Sequence, residues 1–203
     1  MSVRPLFLLF ASLSLLHGQV GEAPDCARRL AEDFVPMTRS ERLVNAANGV
    51  LSPSAFFYTA VQAAVTQGTG QPEEWGQGAR GFARRFGSGY AGRFIGQSVE
   101  QGIAFGLHED NRYFASGERE FSHRLAYALS STILARHDDG TRHTSISGIG
   151  GAAAGSFLTR PWQPPSTGSA SDAAVSLGLT FAVRAGLNVA REFGPAFLAK
   201  VLR

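Results

Sequence analysis

The chain has one cysteine, Cys26, and one lysine, Lys200, among 203 residues, and each scarcity removes a class of explanation. A single cysteine excludes an intramolecular disulfide. Cys26 reads as an inert thiol: a reactive one needs an electropositive setting, and only Arg28 and Arg29 stand near it in sequence. Ala23-Pro24-Asp25 before it is also the wrong pattern for lipid attachment. Charge is scarce too, at 17% against a usual share of about a quarter, and with 44% hydrophobic residues this argues against disorder. The net charge of +3 and pI of 9.5 are basic, yet the arginines are scattered, whereas a nucleic-acid binder gathers them on one face. No nucleic-acid partner is expected.

Long hydrophobic runs are missing as well. After the first twenty residues the uncharged apolar runs Phe56 to Val65 and Ala173 to Val183, the latter ended by Arg184, are short. Neither approaches the roughly 18 residues a spanning helix needs, so no membrane-crossing segment is expected there, while peripheral contact with a membrane stays open. G-x-S-x-G, H-E-x-x-H and P-loop patterns do not occur. Gly87-x-Gly89-x-x-Gly92 matches a dinucleotide fingerprint only in letters, because no strand precedes it. Asp138-Asp139-Gly140 lacks the other ligands of a calcium loop. Neither a metal nor a cofactor is expected.

What is present begins with the N-terminus. Arg4, then the apolar Pro5 to Leu16, then the polar exit H-G-Q-V-G-E read as a cleavable signal peptide over residues 1–19. Twelve helical residues span only about 18 Å, too short for an anchor. The organisation expected after it is an N-terminal helical extension over 20–50 and a helical domain over 51–203, with little or no sheet. The fold class is thus mainly α, a single-domain bundle of closely packed Gly/Ala-rich helices.

Within the extension, 25–35 reads as a short helix ended by Pro36. Ser52 followed by Pro53 opens the next helix, which runs to Gly68. Apolar residues three and four apart from Phe82 to Ile103 predict a helix over 78–107, with a break near Gly87-Ser88-Gly89 if its glycines are not compensated. Ser116 is the expected cap of a helix to Ala135. Asp139-Gly140 suggests a small hairpin, and a last helix from Ser171 or Asp172 is expected to stop at Gly194-Pro195.

Glycine is the abundant residue, 24 in all. In a helix interior each costs roughly 1 kcal/mol relative to alanine, so a run of them needs an offset. The spacing supplies one: Ser88, Gly92 and Gly96; Gly148, Ala152 and Ser156; Ala174, Gly178, Ala182, Gly186 and Ala190 each recur every four residues. Small residues on one helix face let two backbones approach. Gly92, Gly96, Gly178 and Gly186 are therefore the expected helix-contact positions. Two polar lines, Tyr90-Arg93-Gln97-Glu100 and Arg184-Asn188-Arg191, read first as solvated helix faces and second as an interior network.

The densest chemistry lies in A-F-G-L-H-E-D-N-R-Y-F-A-S-G, residues 104–117. In an extended segment His108, Asp110 and Arg112 point the same way. Catalysis would use His108 with Asp110 and His123. The favoured reading is a structural polar corner of His108, Asp110, Arg112 and Tyr113, since an acid and an arginine two apart usually pair locally. This segment, with Leu107, His108, Asp110, Arg112, Tyr113 and Phe114 as the matching positions, resembles that of uncharacterised bacterial exported proteins with L-H-x-D-x-R-Y-F after a Gly/Ala-rich helix. The likeness extends from about Gly78 to Pro195 and includes R-E-F-x-P at Arg191, Glu192, Phe193 and Pro195; Asn111 departs from the expected proline. The resemblance implies export and a shared fold, with no activity.

The resulting expectation is an exported protein of the periplasm or cell envelope, structural or interaction-based and leaning away from enzymatic activity. Its partners would be a second copy, another envelope protein or a membrane surface. The alternatives are a small hydrolase built on His108 and Asp110, and a peripheral lipid-binding protein.

Overall fold

A computed structural model describes residues 34–201. The signal segment, Cys26 and most of the short helix expected over 25–35 lie outside the described residues; Phe34 and Val35 are not helical. The fold is mainly α. Helices α1 (Arg39–Leu51), α2 (Pro53–Gly68) and α3 (Gly78–Leu107) precede a two-residue strand, β1 (Glu109–Asp110). Then come α4 (Phe121–Ser130), strands β2 (Leu134–His137) and β3 (Arg142–Thr144), α5 (Ile146–Phe157) and the long α6 (Ala170–Val201).

Local chemistry accounts for most helix starts. Thr38 and Glu41 form a capping box at α1, each satisfying a backbone donor of the other's turn. Ser52 accepts from Ala55 N–H and Pro53 occupies the first turn of α2. Ser169 and Asp172 cap the first turn of α6 in the same reciprocal way.

α3 runs unbroken through Gly87-Ser88-Gly89, the compensated case; Thr59 Cγ2 of α2 stands 3.4 Å from where a Cβ on Gly89 would be, while nothing lies within 4 Å of that position on Gly87. Other expectations need correction. α4 starts at Phe121 rather than after Ser116, and residues 134–137 are strand. The Ser116 hydroxyl is engaged by Glu192, far away in sequence, instead of holding a helix start. α6 continues through Pro195, where Arg124 donates to the Glu192 carbonyl and Phe193 packs on Phe121, 5.1 Å between ring centres. A small sheet is present, in the order β1-β2-β3. Its β2–β3 hairpin is antiparallel, with Ala135 opposite His143, around the Asp139-Gly140 turn where Gly140 has φ 81°.

The chain packs as two compact units. The larger comprises Met37–Glu109 and Ser145–Thr180, that is α1, α2, α3, α5 and the start of α6. The described part of the other is 34–36, Asp110–Thr144 and the chain from Phe181, with α4, the hairpin and the end of α6. Buried apolar residues are small: apart from Met37 and Val50 they are alanines, at 55, 63, 104, 128, 135, 152 and 173.

Candidate functional site

Three buried carboxylates, Glu109, Asp110 and Glu192, engage the residues of the 104–117 segment. In the larger unit, α3 ends at His108, whose left-handed conformation (φ 57°, ψ 32°) turns the chain out of the helix while its N–H still donates to Ala104 O. The next residue, Glu109, is 1% exposed. Its carboxylate accepts from Ile146 N–H at 3.1 Å, Ser147 N–H at 3.0 Å and the Ser147 hydroxyl. It thereby caps α5 from outside that helix, where orphan donors and the helix dipole favour an anion. Ser145 Oγ takes Gly148 N–H at 2.9 Å, and buried Arg42 of α1 donates to Glu109 O at 2.7 Å.

The second carboxylate sits in the other unit. Glu192, 4% exposed, accepts from Tyr113 OH at 2.6 Å, Ser116 Oγ at 2.6 Å, Ser116 N–H at 3.1 Å and Arg124 Nε at 2.9 Å. Burial works to raise its carboxyl pKa, yet the bonds from Ser116, Tyr113 and Arg124 outweigh burial and hold it below the ordinary 4.5. Burial first, and then the bond to Glu192, push the Tyr113 phenol above its usual 10.0. Asp110, fully buried, accepts from Arg112 N–H, and both its oxygens face the Arg112 guanidinium at 2.6–3.0 Å. Arg112 also reaches Val35 O at 3.3 Å and lies over the Phe114 ring.

The candidate catalytic residues therefore have specific occupations. Asp110 is spent on Arg112, a bidentate charge-assisted pair. His123 faces Glu120 at 3.5 Å on an exposed turn. His108 is exposed, serves as the C-cap of α3 and belongs to the larger unit, while Asp110 and His123 belong to the other. Among the described residues no three His, Cys, Asp or Glu side chains gather as metal ligands.

The glycine rows divide. A Cβ on Gly96 would stand 3.0 Å from Gly151 O, and one on Gly155 would stand 3.0 Å from Gly92 O, so α3 and α5 meet backbone to backbone. The α5 row in this contact is Gly151 and Gly155, beside the expected Gly148-Ala152-Ser156 row, which is also buried or nearly so. Gly178 and Gly186 on α6 differ: among the described residues nothing lies within 4 Å of their Cβ positions, so there they are not helix contacts. The first polar line is not solvated either. Arg93 donates to Gly49 O at 3.0 Å, Tyr90 to Val50 O at 3.2 Å, and Glu100 is buried.

Sequence reasoning did not assign Glu109 or Glu192 a role. The signal for Glu192 was an acid in a helix otherwise poor in charge from Ala173 onward; for Glu109 no local signal exists, because the helix it caps starts 37 residues later.

Leu43, Val44, Leu51, Phe56, Phe57, Phe94 and Phe105 are exposed on α1, α2 and α3, as are Ile146 and Phe157 on α5 and Val175 and Leu179 on α6. α6 corrects the expectation of no spanning-length segment: Ala170–Phe197 contains an 18-residue window of mean hydropathy 1.4, of which 11% is buried, despite Arg184. By length and composition alone it is long enough to cross a bilayer. Among the described residues the fully buried apolar side chains are mostly alanine, and many large apolar side chains are exposed. Compared with protein-family models, curated proteins and solved structures, the chain matches none.

Proposed function

We propose that this is an exported, non-catalytic protein of the cell envelope that works by apolar contact with another envelope component. The observation that carries the reading is the distribution of side chains. Arg42, Arg85, Glu100, Glu109 and Ser147 are buried, while phenylalanines, leucines and isoleucines face outward. Burying a charge is costly unless it is paired and hydrogen-bonded, and here the bonds are made: Arg85 alone donates to Gln71 O, Pro72 O, Gly76 O and Gln67 Oε1. A protein in water gains by the opposite arrangement, and large contiguous apolar exteriors mark sites of protein or membrane contact.

The occupations of Asp110 and His123 weigh against the hydrolase alternative. The signal pattern over residues 1–19 supports export. The experiment is to purify the mature chain without detergent and follow it by sedimentation velocity and by partition into a detergent phase. Oligomers, or transfer into detergent, are expected. A monodisperse monomer that stays in the aqueous phase would contradict the reading.

A further inference from the structure

We propose that Phe34 is a removable plug in a ligand socket formed by Phe114, Arg112 and Arg136, and that the ligand is an aromatic ring carrying a carboxylate. The inference goes beyond the contact reading above. All four residues belong to one of the two compact units. Phe114 meets Phe34 edge to face, with 5.4 Å between ring centres and 80° between planes. The Arg136 guanidinium lies over both rings, 5.4 Å from the centre of Phe34 and 5.2 Å from that of Phe114. The Arg112 guanidinium lies over Phe114 as well, at 5.2 Å. Gly140, in the hairpin turn, flanks the plug: a Cβ there would stand 3.8 Å from Phe34 Cδ1.

The plug is held thinly. Phe34 is only partly buried, and Val35 (71% exposed) and Pro36 face solvent. Among the described residues, the hydrogen bond that fastens this segment runs from Arg112 Nη2 to Val35 O, and at 3.3 Å it is long. A segment fixed by one ring and one long bond opens at low free energy.

Phe34 also leaves the charge of the socket unanswered. Asp110 neutralises Arg112. Among the described residues no carboxylate lies within ion-pair distance of Arg136, and its buried Nε has no hydrogen-bond acceptor. In the hairpin Arg136 stands opposite Arg142, and like charges so placed repel. Arg142 has its own partners, the Tyr127 ring and Ser131 Oγ. A ring attracts a guanidinium, but less strongly than a hydrogen-bonded carboxylate does. Phe34 thus supplies the aromatic half of what the socket can recognise, and Val35 O stands in for the anionic half. A ligand with both groups would put its ring in place of Phe34. Its carboxylate would replace Val35 O at Arg112 and bring the anion that Arg136 lacks.

The test uses the mature protein and two probes that copy the spacing from the Phe34 ring to Val35 O. Acetyl-Phe-Val with a free carboxylate represents a protein C-terminus, and ω-phenylhexanoate represents a small free acid. Both are titrated calorimetrically into the parent and into Phe34→Ala. The variant should bind roughly tenfold or more tightly, because a plug lowers apparent affinity by the fraction of time the socket is open. Adding Arg136→Met, or replacing the probe by acetyl-Phe-Val-amide, should weaken binding roughly tenfold or more. The tighter acid identifies the source of the ligand. Failure of both acids to bind, equal binding by parent and Phe34→Ala, or equal binding of acid and amide overturns the inference. Should circular dichroism show Phe34→Ala unfolded, a nitroxide on Val35→Cys in a Cys26→Ser chain decides. Saturating acid should then sharpen the spin-label spectrum as the segment leaves, and an unchanged spectrum overturns the inference.

Discussion

At the scale of single residues, His108 is the residue whose surroundings decide between chemistry and structure. It stands at φ 57°, the left-handed region that glycine occupies without penalty and other residues enter at a cost. His108→Gly is expected to keep or raise stability, by up to about 1 kcal/mol, in urea unfolding. A loss larger than that would mean the imidazole contributes more than its backbone position. Glu192 is the opposite case. Its folded carboxyl titrates below 4.5, so its stabilisation is complete above that value and is lost as pH falls through the lower folded value. Glu192→Gln should lower stability at neutral pH by about 1–3 kcal/mol and flatten the acid limb of the urea midpoint against pH. Tyr113 works in the other direction: its raised pKa gives stability below 10.0 that is lost at higher pH, and Tyr113→Phe should remove that alkaline limb.

At the scale of elements, the glycines supply a paired experiment. An alanine Cβ at position 151 would stand 2.5 Å from Glu100 Cβ and 2.7 Å from Gly96 O, and the nearest atoms are backbone or rigid stem. Gly151→Ala should therefore destabilise by about 1–3 kcal/mol or more. Position 178 meets nothing within 4 Å, so Gly178→Ala should gain up to about 1 kcal/mol from helix propensity. Thermal unfolding of both variants checks the contrast; equal effects would contradict the α3–α5 contact. Elements whose causes are local were legible in the sequence. Ser52-Pro53 and Gly68 bound α2, and Asp139-Gly140 turns the hairpin. Elements whose causes are distant were not: Ser116 is held by Glu192 rather than by a helix start. The same limit hid the carboxylates, since a cap supplied by Glu109 to Ile146 leaves no mark in local spacing.

At the scale of the whole molecule, many large apolar side chains of the described residues are exposed, while several charged groups are buried. The interior is built of alanine, glycine and bonded polar groups, so apolar burial contributes little per residue, and close backbone approach replaces it. The exposed Phe56, Phe94, Phe105, Ile146 and Val175 then represent apolar area that a partner would remove from water, at about 25 cal/mol per Å². Composition does not tell which aromatics face out, because periodicity alone places them on a helix face without saying what that face meets. The most direct measurement is detergent-phase partition of the purified mature protein, with its circular dichroism recorded in both phases. The account predicts that the folded protein transfers into detergent or self-associates without it. A folded monomer remaining wholly in the aqueous phase would contradict it.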